Sequence, residues 1–322
     1  MKALVLSGGS IKGAFQGGAI RWILEQGFRP DLIYGISVGA LNGAFLAERT
    51  GRRVREGRPL DWSEIGEELE DLWIRKVTGP KCLIRQRGKI GLIASIAFNR
   101  FNGMTDTEPL RRMIHRELDP LNLAKSAVSF EAGAVNMFNG EIIYARHDQS
   151  DIRDYVYAST AIPIAMPLVE IFVGGERIPF YDGGVRDIAP LGRALQRARE
   201  AGETLSEIVA IVCQPDRITG GTFKRGKILS LSERLMDIVS SEIVENDLSF
   251  IRRMNRMLEV EKRDEVRIDG RIYRRIVPIL IRPDEEIALG IDKFDTRDIR
   301  RMFELGRKKA QACYPPKARE IP

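Results

Sequence analysis

Histidine is almost absent. Two residues, His115 and His147, serve a chain of 322. His115 falls on the polar side of a helical pattern whose apolar positions are Leu110, Met113, Ile114 and Leu118, and His147 lies in the charged turn Arg146-His147-Asp148-Gln149. Both read as surface residues, which argues against a Ser-His-Asp triad. Cysteine is nearly as scarce: Cys82, Cys213 and Cys313 are odd in number, widely spaced and form no C-x-x-C pair. Neither a disulfide framework nor a zinc site is expected, and a reducing cytoplasm fits. Long apolar runs are missing as well. The stretch Ala3-Leu4-Val5-Leu6 is too short for a signal peptide's hydrophobic region, and the longest apolar window, around Leu92 to Phe98, falls far short of the roughly 20 residues of a membrane span. Aromatic residues, at 7%, are not interleaved with basic ones as a platform for stacking single-stranded nucleic acid would require.

What is present is a globular balance, with 43% hydrophobic and 30% charged residues. The length suits one α/β domain over 1–322 carrying a large insertion. A net charge of +6 and a pI near 9.3 favour anionic surfaces such as acidic phospholipid headgroups. The basic residues are nonetheless spread along the chain, and the clusters Arg52-Arg53-Val54-Arg55 and Arg274-Arg275 are short, so they read as solvated faces. No nucleic-acid module is recognised, and no nucleic-acid partner is expected.

Residues 1–50 read as strand, glycine-rich turn, helix, strand, sharp turn and helix, with strands at Lys2 to Ser7 and Leu32 to Ile36 and helices at Ala14 to Gln26 and Val38 to Glu48. Strands joined by helical crossovers imply a parallel sheet. From 51 to about 105 the rhythm breaks, and this segment reads as an inserted cap. A helix then follows Pro109, Val128 to Asn136 and Glu141 to Ala145 form a hairpin across Asn139-Gly140, and Val169 to Val173 with Arg177 to Tyr181 form another. A helix is expected from Leu191 to Ala201. Ile208 to Val212 reads as a strand buried on both faces. Residues 227–322 form a C-terminal extension of helix and strand. Its first part, to about Lys262, carries Leu231, Leu235, Ile238, Val239, Ile243, Leu248, Ile251, Met254 and Leu258 as an apolar stripe expected to face the core, on two helices or one bent helix. Arg274 to Ile281 reads as a last strand and Thr296 to Ala312 as a last helix. The fold class is α/β, a three-layer α/β/α sandwich with a mainly parallel central sheet.

Gly35-Ile36-Ser37-Val38-Gly39 lies between a strand and a helix, the context of a G-x-S-x-G nucleophile elbow. Strand and helix approach closely there, so Gly35 and Gly39 have to be small, and the helix N-terminus stabilises charge developing at Ser37. One unit earlier, Ser7-Gly8-Gly9-Ser10-Ile11-Lys12-Gly13 is a glycine-rich turn that aims backbone N–H groups at an anion. Ala14-Phe15 after Gly13 rules out a Walker loop, and Ser10 replaces the middle glycine of a dinucleotide fingerprint. An oxyanion hole is the preferred reading, with Lys12 adding positive charge. The serine's partner is sought in Phe180-Tyr181-Asp182-Gly183-Gly184-Val185, where Asp182 ends a strand and Gly183 and Gly184 leave its carboxylate open.

Together these residues resemble the patatin-like phospholipase family. The resemblance runs in order through the glycine loop at 8–13, Gly35 to Gly39 with Ala40 and Asn42, Asp106 with Pro109-Leu110, Ala158 to Pro163 with Pro167, and Asp182-Gly183-Gly184 with Pro190. It implies a patatin-like fold, a serine and aspartate dyad with Ser37 as nucleophile and Asp182 as base, and backbone donors at Gly8, Gly9, Ser10 and Ile11 beside Lys12. It further implies hydrolysis of phospholipid or lysophospholipid esters, for which no metal or organic cofactor is required; peripheral contact with an anionic membrane surface is what the positive net charge allows. Two positions depart from the family pattern: Ser10 stands where a third glycine is usual, and Ile188 where an asparagine is common. An unperturbed aspartate, with pKa about 3.9, is a poor base for a hydroxyl, so burial has to raise its basicity. An acyltransferase using the same dyad, and a catalytically silent lipid-binding protein, remain as alternatives.

Overall fold

The computed structural model describes residues 1–98, 100–200, 202–219, 227–268 and 271–314. Short runs of aliphatic residues alternate between two faces and thereby build two cores on one sheet. In β1 (Lys2–Leu6), Leu4 and Leu6 enter one core while Ala3 and Val5 enter the other. The same division holds in β2 (Leu32–Ile36) and in β9 (Glu207–Ile211). The first core is closed by α1 (Gly13–Glu25), α2 (Val38–Arg55), α3 (Trp62–Asp71), α5 (Glu108–Glu117), α7 (Ile152–Ser159) and α10 (Thr296–Cys313). The second is closed by α8 (Leu191–Glu200) and α9 (Ile228–Val260). Helices therefore cover both faces, as the α/β/α reading expects.

The sheet also contains β5 (Ser129–Asn136), β6 (Ile142–Arg146), β7 (Val169–Val173), β8 (Glu176–Asp182) and β12 (Ile279–Ile281), in the order β12-β9-β1-β2-β5-β8-β7 with β6 on β5. β12, β9, β1, β2 and β5 run parallel, whereas β6, β8 and β7 join antiparallel. The peripheral elements are β3 (Arg85–Gln86), α4 (Lys89–Ala97), β4 (Thr105–Asp106), α6 (Pro120–Leu123), β10 (Glu265–Ile268) and β11 (Arg271–Arg274).

Several expectations change. α2 continues to Arg55, and Arg53 is fully buried instead of solvated, because Glu64 and Glu68 of α3 reach it at 3.1 and 2.8 Å. The strand expected over Arg274 to Ile281 is two pieces: β11 pairs with β10, and β12 joins the sheet only after Pro278, which has no N–H to donate. α9 is one helix, and its stripe is divided. Val244, Leu248, Ile251 and Leu258 are buried, but Leu231, Leu235, Ile238 and Val239 are exposed. Residues 315–322, the end of the expected C-terminal extension, lie outside the described residues.

Candidate active site

Ser37 occupies the turn between β2 and α2 with φ 56° and ψ −126°, a conformation that costs a non-glycine residue roughly 1–3 kcal/mol. Packing imposes it. A Cβ on Gly35 would fall 2.3 Å from the Gly39 carbonyl oxygen, and a Cβ on Gly39 would fall 2.3 Å from that of Leu6. The strained turn is also held by a bond that the motif does not announce: the Ser37 N–H donates to Ser159 Oγ at 2.8 Å, from the fully buried end of α7. Val38, the first residue of α2, has an N–H with no intrahelical partner, and it points into the same turn region by helix geometry.

β5 brings the aspartate to the serine. Its residues Glu131 to Gly133 pair with both β2 and β6, and Ala134 and Val135 pair with both β6 and β8. A strand has only two edges, so β2 and β8 meet end to end on the edge opposite β6. Gly133 stands opposite Ile36 and Ala134 opposite Asp182, which sets the elbow and the aspartate one register step apart. Asp182 is 2% exposed, and its Oδ1 accepts the Gly184 N–H at 2.8 Å. Burial pushes its pKa up to about 7, against the opposing pull of hydrogen bonding from the Ser37 side chain and from Gly184. Gly183 lets the chain pass Gly133, whose carbonyl oxygen would sit 2.6 Å from an added Cβ.

The glycine loop lies against this pair. Gly8 passes so close that a Cβ there would meet Ser37 Cβ at 3.0 Å, yet its own N–H donates to the Ile188 carbonyl at 3.0 Å. Gly8 is therefore committed as a donor and shapes the loop instead of serving an anion. The N–H groups of Gly9, Ser10 and Ile11 have no acceptor among the described residues. Ser10 adopts φ 52°, in the left-handed region where the family's usual glycine carries no steric cost, and its Oγ is buried without a partner. Side chains outside the loop pin it: Gln16 Nε2 of α1 donates to the Ser7 carbonyl at 2.7 Å, and the distant Gln214 Nε2 to that of Gly8 at 3.2 Å. Lys12 is 5% exposed, and its Nζ contacts Asp237 of α9 at 2.7 Å. Burial opposes its charge, but Asp237, with smaller contributions from Cys213 and Glu233, leaves the pKa raised. The loop's positive charge is thus already balanced, a partnership that no local sequence signal reveals.

A cavity of about 420 Å³ opens here, lined by Ser37, Asp182, Gly9, Ser10, Lys12 and Ile188 and, across from them, by residues of α9 and the 287–293 segment. Among the described residues none of 51–105 lines it. Neither histidine lines it: His147 Nδ1 accepts the Phe130 N–H at 3.2 Å, and His115 lies on α5. Among the described residues no group of three or more His, Cys, Asp and Glu side chains is placed to hold a metal ion, and no helix is long and apolar enough to cross a membrane.

The crystal structure of VipD from Legionella pneumophila is similar to this chain with a TM-score of 0.47 and 15% identity, over 97% of this chain and 66% of that one. This chain thus spans just under two thirds of VipD's length. No curated protein matches it. The family model for patatin-like phospholipase matches residues 4–195, from β1 through the elbow and Asp182 into α8, and that match covers more than half of the chain. The protein belongs to the patatin-like phospholipase family.

Proposed function

We propose that the protein is a lipid acyl hydrolase that cleaves phospholipid or lysophospholipid esters through an acyl-enzyme on Ser37, with Asp182 as the base. The observation that carries this reading is a buried carboxyl, raised to about 7, beside a serine held at positive φ on a helix N-terminus. A base of that strength is half ionised at neutral pH, where an ordinary aspartate is fully ionised but far less basic. Asp182 takes the Ser37 proton as Oγ adds to the ester carbonyl. The oxygen of the tetrahedral intermediate gathers negative charge, and the N–H groups of Gly9, Ser10 and Ile11 supply donors for it, each such donor being worth about 3 kcal/mol in a site of this kind. Collapse expels the alcohol, which takes the proton from Asp182, and a water deprotonated by the same carboxylate then releases the fatty acid. Family membership and the cavity beside α9 support a lipid substrate. The α9 face turned to the cavity includes Glu233, Met236, Asp237 and Ser240, while Leu231, Leu235 and Ile238 are exposed on its other flank, as suits an enzyme working at a lipid surface.

The test is chromophore release from a medium-chain p-nitrophenyl ester by wild type, Ser37→Ala and Asp182→Ala, with folding checked by circular dichroism. Both variants are expected to lose at least about a thousandfold in kcat. In the wild type, kcat/KM should rise with pH through an inflection near 7, as Asp182 ionises. Turnover that survives Ser37→Ala sinks the mechanism. Product analysis with a competing alcohol separates hydrolysis from acyl transfer.

A further inference from the structure

The loop that carries Asp182 carries a second aspartate that faces the other way. Asp187, five positions on, lines a separate cavity of about 980 Å³ bordered by β6, α8, α9 and β11, which Asp247 of α9 also lines. The walls are largely apolar and aromatic, including Leu191, Leu195, Phe250, Ile251, Met254 and Ile276. Asp187 Oδ2 accepts the Tyr144 hydroxyl and the Ala189 N–H approaches the same carboxylate, while Oδ1 is buried with no partner at ordinary hydrogen-bond distance and angle. Burial raises the pKa of Asp187, and burial together with the charge of Asp187 raises that of Asp247 to about 6. The cavity's cations are spent elsewhere: Arg193 contacts Glu131 at 2.7 Å and Arg274 contacts Glu265 at 2.9 Å. Glu200 is engaged by Arg193 and Arg197. Among the described residues Asp247 makes no ion pair.

Two like charges left together in an apolar groove are costly unless a cation joins them. Two carboxyls and a phenol are too few oxygens for a calcium cage, and magnesium would demand an octahedral, well-hydrated setting. An ammonium group asks for two or three acceptors and tolerates aromatic neighbours. We propose that this cavity binds an amine-bearing amphiphile, with its ammonium group between Asp187 and Asp247 and its apolar chain along the α8–α9 groove. The site is independent of ester hydrolysis, so its test reads binding alone.

The probe is dodecylammonium below its micelle concentration, titrated calorimetrically into the whole 322-residue chain at low ionic strength, with dodecyl maltoside as the uncharged partner of equal tail length. Saturable binding of the ammonium probe is expected in the wild type. It should weaken on the order of tenfold or more in Asp247→Asn and in Asp187→Asn, while the maltoside binds the three proteins alike and less tightly. Among the described residues Asp247→Asn disturbs no hydrogen bond, so it answers the question even where Asp187→Asn, which loses the Tyr144 contact, melts early. Equal affinity of wild type and Asp247→Asn for the ammonium probe overturns the proposal, as does wild-type binding of the maltoside as tight as that of the ammonium.

Discussion

Asp182 is held where its charge is costly: it is 2% exposed, and burial lifts its pKa from 3.8 to about 7. Between these values the folded chain keeps a proton that the unfolded chain has released. Stability contributed by this residue therefore falls as pH rises from about 4 and is lowest above about 7. Replacement by asparagine keeps an acceptor for the Gly184 N–H and removes the buried charge. Asp182→Asn should abolish ester turnover yet melt higher than wild type at pH 8, by an amount equivalent to roughly 2–4 kcal/mol, with the difference vanishing near pH 4. Thermal melts at the two pH values check this, and coincident melting at pH 8 would show that the carboxyl is not buried as charged. The elbow is the part of this site most legible in sequence, because a close approach of backbones forbids side chains at Gly35 and Gly39 and so writes itself into the motif. Ser159 was not legible as the residue that holds the Ser37 N–H, since that bond spans 122 positions and any small polar residue at a helix end reads the same.

At the scale of elements, periodicity identifies which residues share a face but does not say whether anything covers that face. α9 illustrates the difference: its helical spacing is readable throughout, yet Leu248 and Ile251 are buried while Leu235 and Ile238, on the same long helix, are half exposed. The burial boundary falls where the helix leaves the sheet and passes over the cavity, a tertiary placement that local pattern does not encode. If the exposed flank meets a lipid surface, Leu235→Glu with Ile238→Glu should leave turnover of a soluble p-nitrophenyl ester within about twofold of wild type and lower turnover on anionic vesicles by tenfold or more. Equal losses on both substrates would instead mean that the helix had been displaced. The π-helical turn at Leu72–Lys76 and the short strands β10 and β11 were likewise unannounced, being fixed by what they pack against and not by their own composition.

Across the whole molecule, the charge that composition presents as solvated is partly structural. Arg49 and Arg53 of α2 lie 2.7 and 2.8 Å from Glu68 of α3, and Arg49 lies 3.0 Å from Glu117 of α5, so one buried network ties three helices of the first core together. Burial alone would raise the pKa of Glu68 and of Glu117, but Arg53 and Arg52 hold the first below the ordinary range and Lys76 the second. A depressed carboxyl has the opposite sign to Asp182. Its contribution is present above the unfolded pKa of about 4.5 and is lost as pH falls through the lower folded value. Asp182 and Glu233, both raised to about 7 by burial, take stability away on the alkaline side. The two sets together place the maximum of stability near pH 4.5, above the range in which the depressed carboxyls lose their contribution and at the foot of the range over which Asp182 and Glu233 take stability away. Glu68→Ala should lower that maximum by about 2 kcal/mol, because it takes one carboxylate partner from each of the buried Arg49 and Arg53, and should also flatten the acid limb while leaving the alkaline limb unchanged. Melting temperatures from pH 3 to 9 for both proteins test this. An acid limb equally steep in the variant would mean that carboxylates other than those of the α2–α3–α5 network govern acid unfolding.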